Sequence, residues 1–267
     1  SSNSSYSKLN YLNINDLDNF AKRINSDFSI IFLIGLAHKK GKGKDLPTFR
    51  SVNKQTLVNL ITVLEKYEKI PDKIIFASSI SVYGERYQTS IYNENLLPNP
   101  YSPYGITKLE AEKYLTERYP ERTWILRFAP VYHRGFKLNL FRRSKLHNFY
   151  YRVGKGNKKL SLCNINNIVT VVSNILNNKI SEGIYNVSDN IEYTYNDLLN
   201  KFNPDFIIPI PLILLKLLYL LGVITKNNFI KENTIKLLTH NVFPSKKIID
   251  HLILDEGLNY TLNEEFK

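Results

Sequence analysis

Two kinds of apolar pattern alternate along the first half of the chain. Residues 30–37, Ile-Ile-Phe-Leu-Ile-Gly-Leu-Ala, run apolar without a polar alternate, as in a strand covered on both faces of a parallel sheet. Residues 73–77 and 123–128 repeat that pattern. Between these runs, Val52, Leu57, Leu60, Ile61 and Leu64 recur at helical spacing within residues 49–67, before Pro71. A second amphipathic helix covers residues 104–119, after a loop carrying Pro98, Pro100 and Pro103. Strand, helix, strand, helix, strand at these intervals predicts right-handed crossovers and an α/β fold with a doubly wound parallel sheet. Ahead of it, residues 11–14 read as a short strand and 16–25 as a helix capped by Asn15 or Asp16.

The second half is less regular. Residues 136–151 are basic and aromatic, 166–178 read as a helix with Val169, Val172, Ile175 and Leu176 inward, and 183–187 as a short strand. Thr194, followed by Asn196 and Asp197, favours a helix start without a full capping box. From Pro209 onward the chain is helical and Leu-rich, which suits a small second domain. The longest apolar stretch, 206–224, carries two prolines and Lys216; its helical part is too short to span a bilayer, and its leucines read as core or subunit interface ahead of a membrane- or partner-binding module over 206–221.

Composition adds limits. With 267 residues, 43% hydrophobic and 22% charged, the chain can bury a core, which excludes disordered, collagen-like and disulfide-scaffold classes. The single cysteine, Cys163, closes no intramolecular bridge and suits a reducing compartment, the cytoplasm. A net charge of +12 raises nucleic acid or an anionic membrane as a partner, but 26 Lys against 10 Arg, scattered among 31 Asn, form no binding stripe. Basic clusters at 38–44, 142–145 and 155–159 read as solvated faces or as loops facing the phosphates of a nucleotide. No secretory signal opens the chain, and methionine is absent even at position 1.

Metal chemistry has no inventory: His38, His133, His147, His240 and His251 never fall at ligand spacing from each other or from Cys163. Gly41-Lys42-Gly43 follows a strand, but Leu46 stands where a dinucleotide turn needs its third glycine. The chemistry-bearing pair is Tyr104 and Lys108, one helical turn apart on one face. Chance alone gives about two Tyr/Lys pairs at this spacing in such a composition, and the other, Tyr151 and Lys155, lies among glycines. Ser78, Ser79 and Ser81 end a buried parallel strand, where open α/β sheets bind ligands.

Three runs carry a resemblance: Ser78-Ser79-Ile80-Ser81-Val82-Tyr83-Gly84, then Pro100-Tyr101-Ser102-Pro103-Tyr104-Gly105-Ile106-Thr107-Lys108-Leu109-Glu110-Ala111-Glu112, then Leu126-Arg127-Phe128-Ala129-Pro130-Val131-Tyr132. The chain resembles the extended short-chain dehydrogenase/reductases, and within them the NAD-dependent sugar-nucleotide epimerase/dehydratase family. Weaker matches are Gly35-Leu36-Ala37, where the family has His-Leu-Ala, Asn53 in the helix after it, and Gly183-Ile184-Tyr185-Asn186-Val187-Ser188-Asp189.

The resemblance implies a Rossmann-like cofactor domain at 1–134 and 163–190, N-terminally truncated because nothing before Ile30 supplies the family's glycine-rich strand-turn-helix. A substrate domain would comprise 135–162 and 191–267. An edge strand at 30–34, or its pairing with 11–14, is then expected. By resemblance Tyr104 is the catalytic acid/base, Lys108 its electrostatic partner and ribose anchor, and Ser79 the bridging hydroxyl. Ile14, Ala37, Asn53, Ser78, Pro130 and Val131 would line NAD, or NADP, alongside Tyr104 and Lys108. Ser79, Ser81, Asn139, Lys158 and Lys159 would hold a nucleotide-diphosphate sugar, with lysine where the family has arginine and His133 where it has glycine. The implied activity is C4 epimerisation through a transient 4-keto sugar, serving surface-polysaccharide synthesis. The alternatives are a C4 reductase or dehydrogenase of a nucleotide sugar, or an inactive remnant unable to grip the dinucleotide. Nucleic acid and stable membrane insertion are not expected, and a homodimer stays open.

Overall fold

The computed structural model of the chain describes residues 8–37, 45–87, 91–250 and 252–258; the basic cluster at 38–44, with Gly41-Lys42-Gly43, lies outside them. The first element is helix α1 (Ile14–Arg23), capped by the Asn13 side chain and burying Leu17 and Ala21. Residues 11–14, expected as a strand, instead form a turn and the helix start, because Asn13 accepts the Asn15 N–H and commits the chain to helix there. Strand β1 (Ser29–Phe32) follows, then α2 (Leu46–Arg50), which continues through one widened turn, Ser51–Gln55, into α3 (Thr56–Lys66). β2 (Lys73–Ser79), α4 (Pro103–Arg118) and β3 (Thr123–Phe128) complete the first half.

In the second half come β4 (Val131–Tyr132), α5 (Leu138–Ser144), β5 (Lys145–Leu146), β6 (Phe149–Val153), β7 (Lys159–Leu160), β8 (Cys163–Asn164), α6 (Ile165–Leu176) and β9 (Gly183–Val187). After them lie β10 (Tyr193–Thr194), α7 (Tyr195–Phe202), β11 (Ile207–Ile210), α8 (Leu212–Ile224), α9 (Asn228–Leu238) and α10 (Lys246–Ile249). The main sheet has the order β1-β2-β3-β9, all parallel.

Strand alternation divides two cores. Ile74 and Phe76 of β2 face α1, α3 and α4 through Leu17, Leu57, Leu60, Ile61, Leu64 and Leu115. Ile75 faces the other way, packing with Trp124, Leu126, Val171, Ile175 and Val187. The continuous apolar runs of β2 and β3 are therefore covered on both faces, as the pattern predicts. β1 is different: it pairs only with β2 among the described residues, Phe32 is buried, and Ile31 and Leu33 are exposed. The strand thus spans Ser29–Phe32 at the edge of the sheet, as the resemblance implied, and is covered on one face; residues 33–37 follow it without regular structure, so the run is not the doubly buried strand its composition suggests. In α6 the inward residues are Asn167, Val171 and Ile175, with Val172 half-buried; Val169 and Leu176 turn outward.

Smaller sheets flank the main one: β7 with β10, β4 with β8, and β5-β6-β11. α7 carries a complete capping box: Thr194 Oγ1 accepts the Asp197 N–H, and the Asp197 carboxylate accepts the Thr194 N–H at 2.7 Å. Aspartate at the third helical residue closes a box whose usual partner there is Glu or Gln, which is why the pattern did not read as a full box in sequence. At the end of β9, buried Asp189 accepts from Asn164 N at 2.6 Å, Asn167 Nδ2 at 2.8 Å, Tyr132 Oη at 2.8 Å and Tyr193 Oη at 3.0 Å. Burial pushes its carboxyl up to about 6 while those donors oppose the rise. One carboxylate so ties β4, β8, α6 and β10 to the carboxyl end of the main sheet.

Candidate active site

Adjacent serines at the end of β2 point to opposite sides. The Ser78 hydroxyl donates to Glu112 of α4, which is paired with Arg127 of β3 at 2.7 Å with both side chains buried. The Ser79 hydroxyl lies on the other side, accepting the Ser81 N–H at 3.2 Å and donating to Ser81 Oγ at 3.2 Å.

Two glycines let the next segments close over this strand end. Gly84 has φ +68°, and a Cβ there would come within 2.0 Å of the Asn99 carbonyl oxygen. At Gly105 a Cβ would come within 2.4 Å of the Ser81 carbonyl oxygen, so only glycine lets the first turn of α4 lie on the strand end. Ser102 caps that helix, its Oγ accepting the Gly105 N–H at 3.1 Å, with Pro103 in the first turn. The result sets Tyr104 against Ser79. Burial raises the Tyr104 phenol above its ordinary value, and the hydrogen-bonded Ser79 hydroxyl acts in the opposite sense.

Lys108, one turn further, is only 2% exposed. Its Nζ donates to the carbonyls of Ala77 at 2.8 Å and Ile34 at 3.2 Å and stands 4.6 Å from the Phe76 ring centre. Burial lowers its pKa to about 8, opposed by the nearby Glu112 charge. A phenol bonded to a hydroxyl and one turn from an ammonium is an arrangement able to transfer a proton.

Other expected positions are distributed around this centre. Asn53 joins the segment after β1 to α4, accepting the Leu36 N–H at 2.6 Å and donating to Thr107 Oγ1 at 2.9 Å. Ala37 is exposed just beyond it, and Ser81 borders a small cleft with Tyr101 and Ser102. Pro130 accepts the Cys163 N–H, Val131 pairs with Cys163, and Asn139 Nδ2 donates to the Val131 carbonyl at 2.8 Å. Ile14 sits at the start of α1. Lys159 is ion-paired with Glu192, and the Lys158 carbonyl accepts the Tyr195 N–H. The structure therefore brings Ser79, Ser81, Tyr104 and Lys108 together and leaves Ile14, Lys158 and Lys159 on other elements. Sequence reasoning assigned nothing to Glu112, Arg127, Glu232 or Lys236. Glu112 had a signal, four residues after Lys108 on the same helix; Glu232 and Lys236, which reach the same cleft from α9, had none.

The nicotinamide-riboside end of a dinucleotide fits this donor set. Lys108 Nζ has three N–H bonds and two carbonyl acceptors, and bare Gly35 lies beside it, where a Cβ would sit 3.1 Å from Nζ. The diphosphate end finds no glycine-rich turn among the described residues before β1, since Gly35 is the first glycine of the chain.

The family model of NAD dependent epimerases/dehydratases matches residues 2–188. The N-acetyl-alpha-D-glucosaminyl-diphospho-ditrans,octacis-undecaprenol 4-epimerase of Escherichia coli O157:H7 is 30% identical over 204 residues, 69% of this chain and 59% of that protein. This chain thus spans less than two thirds of that relative's length. Among solved structures, the UDP-glucuronic acid 4-epimerase of Bacillus cereus in complex with NAD is 18% identical, with a TM-score of 0.67 over 94% of this chain and 74% of that one. The UDP-glucose 4-epimerase of Thermotoga maritima with UDP-glucose is 17% identical, with a TM-score of 0.67 over 96% and 81%. These structures share the Rossmann-like fold.

Proposed function

The chain belongs to the NAD dependent epimerase/dehydratase family, and on that premise we propose that it epimerises a sugar carried on a diphosphate, at C4. The observation that carries this reading is the convergence of Ser79, Tyr104 and Lys108 at the carboxyl ends of β1 and β2. NAD, when bound, would supply the acceptor and donor of hydride. Lys108 would hold its ribose through the third ammonium N–H, beside Gly35, with Asn53 fixing the backbone of Leu36. Ser79 orients the sugar hydroxyl toward Tyr104, whose phenolate form, favoured by the Lys108 ammonium one turn away, would take the hydroxyl proton as the C4 hydride leaves to NAD and return it as the hydride comes back to the other face. Burial opposes that ionisation and also keeps water from the transferred proton.

A second reading has its own support. The sugar diphosphate is carried on a polyprenol and not on a nucleoside, as in the name of the E. coli relative. The apolar, exposed α8 leads into α9, whose Glu232 and Lys236 border the same cleft as Ser81.

Incubation with NAD, or NADP, and a panel of UDP-hexoses and polyprenyl-diphospho-N-acetylhexosamines tests both. One substrate is expected to form its C4 epimer, and Tyr104→Phe is expected to slow this about 100- to 10,000-fold while leaving the fold intact. Undiminished turnover by Tyr104→Phe would remove that residue from its role. No epimer from any of the panel would sink the proposed activity.

A further inference from the structure

Helix α8 is apolar on nearly every side and packed on one. With about 100° between successive residues, Leu215, Tyr219 and Gly222 share one arc. Leu215 and Gly222 are buried, and Tyr219 stacks on Tyr87 at 5.0 Å. Opposite them, Ile213, Leu217, Leu220 and Ile224 are 63%, 57%, 52% and 78% exposed. Leu212, Leu214, Leu218, Leu221 and Val223, all exposed, fill the flanks, so apolar surface covers roughly two thirds of the circumference. An exposed apolar face of this size marks an interaction site.

We propose that α8 lies in the headgroup region of an anionic bilayer and docks the protein there as a peripheral membrane enzyme. Charge points to this occupant. α8 has no acidic residue, and Lys216 on its flank and Lys226 just beyond its end are both exposed. Across residues 206–241 four lysines, 216, 226, 231 and 236, stand against the single acid Glu232, in a chain of net charge +12. Lys216 and Lys226, so placed, extend their charges to phosphate headgroups while their stems follow the apolar face, whereas Lys236 pairs with Glu85 and Lys231 lies against Tyr101. Geometry agrees: a second copy would cover one further stripe and leave the remaining leucines in water, whereas a bilayer interface encloses every open side. Among the described residues no helix is long and apolar enough to cross a membrane, and a helix of 13 residues, about 20 Å, fits in its plane.

The docked face adjoins the site. α9 reaches the cleft of Ser81, Tyr101 and Ser102 through Glu232 and Lys236, and Lys231 Nζ stands 5.3 Å from the Tyr101 ring centre. Resting on the epimerase reading for this point alone, a docked α8 would bring Tyr104 to the sugar of a lipid-carried diphosphate.

Vesicle flotation tests the docking without reference to turnover. The chain is expected to float with phosphatidylglycerol/phosphatidylcholine vesicles, less with phosphatidylcholine alone, and less again in high salt. The double variant Ile213→Glu, Leu217→Glu is expected to lower the bound fraction at least about tenfold, with circular dichroism and the emission of buried Trp124, the only tryptophan, unchanged. Tyr104→Phe is expected to float like the parent, which separates docking from catalysis. In Leu217→Trp the added indole is expected to shift to shorter wavelength on anionic vesicles. Absence of flotation together with no such shift overturns the proposal. So does a dimer that the double variant splits while neither form floats, which would assign the face to a second copy.

Discussion

Helices α4 and α8 place their side chains in opposite senses. α4 mixes charged and apolar residues and buries Thr107, Lys108 and Glu112. α8 is almost wholly apolar and buries only Leu215 and Gly222. The difference lies in what each helix meets. α4 crosses the carboxyl ends of β1 and β2, where strand-end carbonyls and Arg127 offer a buried ammonium and carboxylate their partners. α8 meets α9, Tyr87 and the β6–β11 pair of a small sheet along one arc only, and among the described residues none of them offers it a charged partner. Hydropathy ranks what a residue prefers; the neighbouring surface decides what it gets.

Breaking the buried pair of α4 is the strongest challenge to that contrast. Glu112→Ala leaves Arg127 charged in the core and is expected to cost about 3–5 kcal/mol, read as a lowered urea midpoint, with a smaller loss in Glu112→Gln. An unchanged midpoint would mean that α4 does not depend on compensated burial.

Lys108 sharpens the comparison through pH. Its pKa in the folded chain is about 8, below the ordinary lysine value, so between these two pKa values the unfolded chain binds more protons. Its contribution to stability is therefore fully present above about pH 10.5 and is lost as pH falls through 8. Lys108→Met is accordingly expected to raise stability at pH 7 by about 1–3 kcal/mol. That advantage should fade between pH 8 and 10.5 in parallel urea titrations. A constant difference across the window would remove the ionisation from the account.

The smallest effect belongs to α8. Ile213→Ser is expected to change stability by less than about 0.5 kcal/mol, because the side chain is already in water, whereas Leu215→Ala should cost about 2–5 kcal/mol. Equal losses at the two positions would show that the outer face of α8 is covered in solution.

Much of the sheet was legible from periodicity. β2 and β3 are doubly buried runs, and both serve as interior strands. β1 has the same composition and is an edge with Ile31 and Leu33 in water, because its pattern records the hydrophobicity of the strand and not the number of its neighbours. The site divides similarly. Ser79, Tyr104 and Lys108 were legible because their spacing and flanking motif are local. Glu232 and Lys236 were not, since nothing within 100 residues of Ser81 connects them to its cleft. The fate of residues 206–224 was open for the same reason: core, interface and exposed face are identical in a one-dimensional pattern.

The sequence by itself determined the strand and helix alternation from β1 to β3, the candidate serine, tyrosine and lysine, and the membership of its family. These follow from backbone periodicity and short-range spacing, which a linear chain carries entire. Tertiary structure alone decided that Ser78 turns to Glu112 while Ser79 turns to Tyr104, that Lys108 is held by two strand-end carbonyls, and that the most apolar helix faces outward. Burial and partnership are relations between distant segments, and they exist only once the chain has folded.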